Sequence, residues 1–290
     1  MLISRLYRVL LLAGFIPALP AGACEVRDFF ATPLPSPTAE RSAIAIALEH
    51  AYDGLEVRDE TGEVLLPSGI ALSLGRDDGR HPSDRLRDAS IAEQFSQTYP
   101  LDFNPSHREQ PWFDPGRPRN DRFFRALWFE TEWAAASSLA TVAYSGRNVK
   151  TRFSVTSARC VAAQLKAAFD AIAQHGPEMD VFFESVGGGF NWRKIAGTNR
   201  LSTHSFGIAV DLNTTLGGYW RWTGATAGSV GTFKNQFPEA LIYEMERHGF
   251  IWGGKWYHFD GMHFEYRPEL ILFSRLVGDF EQHLTPDLAR

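Results

Sequence analysis

The run from Ser202 to Asn213 constrains the chain more than any other stretch. Its second half alternates with period two: Ile208, Val210 and Leu212 fall on one side of an extended strand, and Ala209, Asp211 and Asn213 on the other. The first set is a core face. The second sets a carboxylate beside a small side chain, which leaves space next to Asp211. His204 stands seven positions before Asp211, and Gly207 between them permits the tight bend that returns the imidazole to the same strand end. Imidazole and carboxylate are ordinary zinc ligands, but two of them do not make a site.

A third ligand comes in the run from Trp256 to Tyr266. Asp260-Gly261 is a turn signal, and His263 to Tyr266 alternates as a second strand, with His263 and Glu265 on one face and Phe264 and Tyr266 in the core. Two histidines and one aspartate leave the fourth position of a single Zn2+ open to water, as a catalytic site requires. Asp260, just ahead of the strand, can take a proton from that water as it attacks a carbonyl. Glu265 reads as a partner that orients a ligand, and His258 as structural.

The motif Ser-x-His-x2-Gly-x-Ala-x-Asp (Ser202 to Asp211) followed by Asp-x2-His (Asp260 to His263) resembles the LAS zinc peptidases. Within them it is most similar to the VanY-like D-alanyl-D-alanine carboxypeptidases and the related L-alanyl-D-glutamate endopeptidases, over about residues 155–275. The resemblance implies that His204, Asp211 and His263 bind one Zn2+ and that Asp260 is the catalytic base. It also implies that Arg193, in Gly189-Phe190-Asn191-Trp192-Arg193, steadies the scissile carbonyl or its oxyanion, with Arg200 as the rival, and that Ser202 touches substrate. The implied substrate is the peptidoglycan stem peptide, cut most simply as by a D-alanyl-D-alanine carboxypeptidase. Asp at 260, where dipeptide-cutting members often carry Glu, keeps the endopeptidase open. Two other readings compete: a zinc-stabilised module that grips wall peptides without cutting them, and a zinc amidase or esterase.

Composition adds exclusions. The 290 residues are 44% hydrophobic with a net charge of -5, which argues against a nucleic-acid partner. Arg5 and Arg8, the apolar run Val9 to Leu19 and Ala21-Gly22-Ala23 read as a signal peptide, 1–23; the run holds Pro17 and is short for a membrane span. The expectation is an exported protein of the periplasm or cell envelope, with no integral span after cleavage. Cys24 and Cys160 then pair as a disulfide; lipidation of Cys24, which would anchor the chain, is the alternative.

The expected fold class is α+β: a small antiparallel sheet with flanking helices carries the zinc site, preceded by a mixed α/β N-terminal region. The expected divisions are an N-terminal region of unknown role (24–150), a catalytic domain (151–275) and a C-terminal tail (276–290). Helices are expected from Ser36-Pro37 to Ala51, over Ser83–Phe95, 121–139, Ala158–His175 and Pro238–His248. Hairpins are expected at 55–66 and 141–155, a strand at Val181–Phe183, and a Pro/Gly loop over 100–119. No catalytic constellation is legible before about residue 150. Tyr219, Trp220, Trp222, Trp252 and Trp256 either line a groove or fill the core.

Overall fold

The computed structural model describes residues 24–278 apart from Gly197; the 1–23 segment and residues 279–290 lie outside the described residues. The fold is α+β, built from three small antiparallel sheets with helices packed around them. Helix α1 (Ala43–Ala51) precedes a three-stranded meander, β1 (Glu56–Arg58), β2 (Glu63–Leu65) and β3 (Ala71–Ser73). Short helices α2 (Pro82–Arg87), α3 (Asp121–Leu127) and α4 (Glu132–Ser137) lead to the hairpin β4 (Leu139–Ser145) and β5 (Lys150–Thr156). Helix α5 (Val161–Gln174) packs on β4. Then follow β6 (Val186–Gly188), β7 (Ala209–Asn213), the single turn α6 (Thr214–Gly217), α7 (Glu239–Arg247), β8 (Phe250–Trp252), β9 (His263–Tyr266) and α8 (Pro268–Val277). The last four strands form one sheet in the order β6-β7-β9-β8.

Capping explains where the helices differ from the periodicity. α1 opens at Ser42, whose Oγ accepts from the Ala45 N–H and donates to Asp59; Ser36-Pro37 lies outside any helix. The expected Ser83–Phe95 helix is two pieces, because Ser90 and Glu93 form a reciprocal capping box that starts a separate 3-10 turn (Ala92–Phe95). Thr131 likewise caps α4 and divides the 121–139 stretch. The expected strand at Val181–Phe183 is the end of a 3-10 helix, Pro177–Phe183: Gly176 and Pro177 start a helical turn that buries Phe182 and Phe183. The apolar run was ambiguous between the two forms by periodicity alone.

One hydrophobic core runs from Phe29 through α1, α5, β7, β9 and α8 to Leu272, and the residue 150 boundary falls inside the paired β4–β5 hairpin. α1 packs on α8, so the N-terminal region lies directly behind the four-stranded sheet. Cys24 is disulfide-bonded to Cys160. Among the described residues no helix is long and apolar enough to cross a membrane.

Candidate metal centre

Strand register puts two of the expected ligands side by side. Asp211 on β7 pairs with His263 on β9, and Ala209 pairs with Glu265, while Val210 and Phe264 turn into the core. On the other flank β6 passes so close that a methyl group on Gly187 would lie 2.7 Å from Cβ of Asp211. His204 arrives from a 3-10 turn, Thr203–Phe206, with Ser202 as its N-cap. Gly207, at φ +68, ends the turn and bends the chain into β7.

Three donor atoms converge. His263 Nδ1 lies 2.9 Å from Asp211 Oδ1, and His204 Nε2 lies 3.2 Å from both. A tetrahedral zinc with bonds of about 2.0–2.1 Å has donor–donor edges of about 3.3 Å, so the trio is the size of one face of its shell. The remaining ring nitrogens point away to fixed acceptors: His204 Nδ1 donates to the Gly189 carbonyl at 2.7 Å, and His263 Nε2 lies 3.1 Å from Glu265 Oε2. That assignment leaves a lone pair on each inward-facing nitrogen. The three residues could hold one metal ion.

The charges around them are tightly matched. Burial pushes the His263 imidazole down, but its bonds to Asp211 and Glu265 outweigh this and raise it to about 10 in the metal-free protein. Burial would raise Asp211, yet the two imidazoles hold it well below the carboxylate range. Glu265 is held low by His263, Arg119 and Arg267 against its own burial. Arg267, 0% exposed, donates to Glu265 at 3.1 Å and to Glu269, and Glu269 accepts from Tyr52, which caps the end of α1, at 2.6 Å. A buried polar chain thus runs from α1 to a candidate ligand.

Asp260 sits in the turn before β9, its N–H bonded to the Gly253 carbonyl at 3.0 Å. Its Oδ1 is buried and has no partner among the described residues. Burial, helped by Asp211, raises its pKa to about 6 against the pull of His263 and Arg117.

These groups line a cavity of about 590 Å³ together with Ser202, Arg193 and Arg200. Arg193 is exposed, and its guanidinium has no partner among the described residues; Arg200 is half-buried and donates to the carbonyls of Arg117 and Arg119. Arg117 and Arg119 themselves line the cavity, so the 100–119 loop contributes charge to a site that seemed confined to the second half of the chain. The sequence cue was two arginines in a stiff Pro-Gly-Arg-Pro-Arg run. His258 is a buried strut: Nδ1 lies 2.7 Å from Asp114, and Nε2 accepts from the Gly228 N–H at 3.0 Å. The aromatics divide. Trp252 is core, whereas Tyr219, Trp220, Trp222 and Trp256 border the cavity, with Trp222 63% exposed.

Residues 196–266 match the family model described as D-alanyl-D-alanine carboxypeptidase. No curated protein and no solved structure matches the chain. The matched segment contains His204, Asp211, Asp260 and His263, and three of these converge as a metal cluster. The resemblance to the VanY-like zinc peptidases therefore holds over residues 196–266, the part of the chain that carries the candidate metal cluster and Asp260.

Proposed function

We propose that the protein is an exported zinc peptidase that hydrolyses peptidoglycan stem peptides as a D-alanyl-D-alanine carboxypeptidase. One observation carries the reading: a zinc-sized His204–Asp211–His263 face shares a cavity with a carboxylate, Asp260, whose buried Oδ1 has no partner among the described residues. Zinc bound there supplies a Lewis acid that polarises the scissile carbonyl and makes water a stronger nucleophile near neutral pH. Asp260, raised to about 6, is tuned for a base that works near neutrality. It takes the proton as water oxygen bonds to the carbonyl carbon, then delivers it to the amine nitrogen as the C–N bond breaks.

Arg193, exposed at the cavity and unpaired among the described residues, is free to turn toward the developing oxyanion. Ser202 holds the histidine-bearing turn in place and, lining the cavity, presents its hydroxyl to the substrate backbone. The Cys24–Cys160 disulfide supports an oxidising compartment, the periplasm or cell envelope.

The test is incubation with defined muropeptides, with and without a chelator, and mass analysis of the products. Release of terminal D-alanine that stops on metal removal is expected. Cleavage between L-Ala and D-Glu would move the assignment to the endopeptidase branch. Tight metal-dependent peptide binding with no turnover would leave a binding module.

A further inference from the structure

The loop that carries Arg117 and Arg119 lies outside the matched segment, and it is held against the site from several directions. Asp114 binds the N–H and ring of His258, Trp256 Nε1 donates to the Pro115 carbonyl at 2.6 Å, and Arg267 Nη1 donates to the Gly116 carbonyl at 2.7 Å. Pro115 and Pro118 stiffen what remains.

Positive charge gathers where the loop meets the cavity. Arg119 is 7% exposed; its Nη2 reaches the Leu201 carbonyl at 3.3 Å, and its Nη1 has no hydrogen-bond partner among the described residues. The carboxylate nearest to that Nη1, Glu265 at 3.9 Å, is already engaged by His263 and Arg267. Arg200 spends Nη1 on the loop carbonyls and leaves a buried Nε equally without an acceptor. Arg117 lies over the Trp256 ring and donates to the His258 carbonyl. Asp121, the other acid close by, is bonded to Arg125 at 2.7 Å and to the Leu201 N–H. The guanidiniums are close enough to repel: burial first, then Arg119 and Arg117, bring Arg200 down to about 9.

Buried guanidinium donors without acceptors are costly, and a carboxylate is the acceptor whose geometry a guanidinium fork matches. We propose that Arg119 and Arg200, backed by Arg117, form a carboxylate-reading wall that binds an anionic group of the substrate next to the scissile bond. The wall rests on the peptidase reading for its substrate. It makes the loop of the N-terminal region a specificity element, and it lies one carboxylate away from the ligand His263, within reach of the last residues of a bound peptide at about 3.5 Å per residue.

The experiment is calorimetric titration of the full-length mature protein in the presence of a chelator, so that no probe is hydrolysed. The probes are Nα,Nε-diacetyl-L-Lys-D-Ala-D-Ala and its C-terminal amide, and an amide-terminated stem peptide whose D-Glu carries its α-carboxylate free or amidated. Wild-type protein should prefer a free carboxylate by roughly ten-fold or more in one of the two pairs, the scale of one charge-assisted hydrogen bond. The pair that shows the preference identifies the source, a chain terminus or an interior acid. In Arg200→Gln, and in Arg119→Lys, which keeps charge but loses the fork, that preference should disappear. Circular dichroism checks that each variant is folded, and the less buried Arg200→Gln serves if Arg119→Lys is not. Equal binding of acid and amide in both pairs, or a folded Arg200→Gln that keeps the preference, would overturn the wall. A carboxylate preference without hydrolysis of any muropeptide by metal-loaded protein would instead remove the peptidase reading.

Discussion

At Asp260 two opposed influences come close to balance. Burial and the neighbouring Asp211 favour the neutral acid, while His263 and Arg117 favour the anion, and the result lies at about 6. A base must be ionised to act, so kcat/KM should rise with pH through an acidic limb; a bound divalent cation takes the place of the protonated His263 as the local positive charge and sets that limb at or below 6. Asp260→Asn should lower kcat by about 10²–10⁴-fold and abolish the limb, with zinc content unchanged. A pH–rate series on both proteins checks this. His263 gives the opposite sign: raised above its unfolded value, it contributes stability fully below about 6.5 that is lost as pH rises through about 10. Metal must displace that proton, so zinc binding at neutral pH should release on the order of one proton and weaken as pH falls. Calorimetry in buffers of different ionisation enthalpy measures the number. Asp211 and His263 could be read as candidate ligands because a period of two assigns each residue of a strand to a face; His204, on a 3-10 turn, was read from its spacing to Asp211. Arg117 and Arg119 were not, because their role depends on where a distant loop docks.

Among the elements, the β7–β9 pair does most to build the centre, and α8 secures it through Arg267. Arg267 donates to two buried carboxylates, so Arg267→Met should cost roughly 3–5 kcal/mol in denaturant-measured stability, chiefly by leaving Glu269 without its cation, since Glu265 keeps His263 and Arg119. Glu265→Gln removes the acceptor that orients His263 and should weaken zinc binding about 10–100-fold. A chelator competition measures it. The strands β7 and β9 were legible from alternation and the Asp260-Gly261 turn; their pairing came with the structure. Helix limits were less so, since Ser42, Ser90 and Thr131 override a continuous apolar rhythm with local side-chain caps.

Across the whole molecule, the two halves of the sequence share one core, and the Cys24–Cys160 bond closes a loop with a sequence separation of 136. Replacing both cysteines with serine should lower unfolding stability by about 2–5 kcal/mol with the zinc site intact, read from urea midpoints and metal content. Joint burial of α1 and α8 depends on contacts between residues more than two hundred positions apart, such as Tyr52 and Glu269, which no local pattern discloses.

His258 joins two segments that border the cavity and lie more than a hundred positions apart in the sequence: Asp114 at one ring nitrogen, Gly228 at the other. The segment from Tyr219 to Phe233 also packs against Phe259, in a small apolar cluster of Trp220, Val230 and Phe259. Its lips tied by one imidazole, the mouth has a set gauge. On the peptidase reading, a peptide enters by threading an end or a slender stretch, and the Gly228 amide should exchange its hydrogen as slowly as those of the sheet.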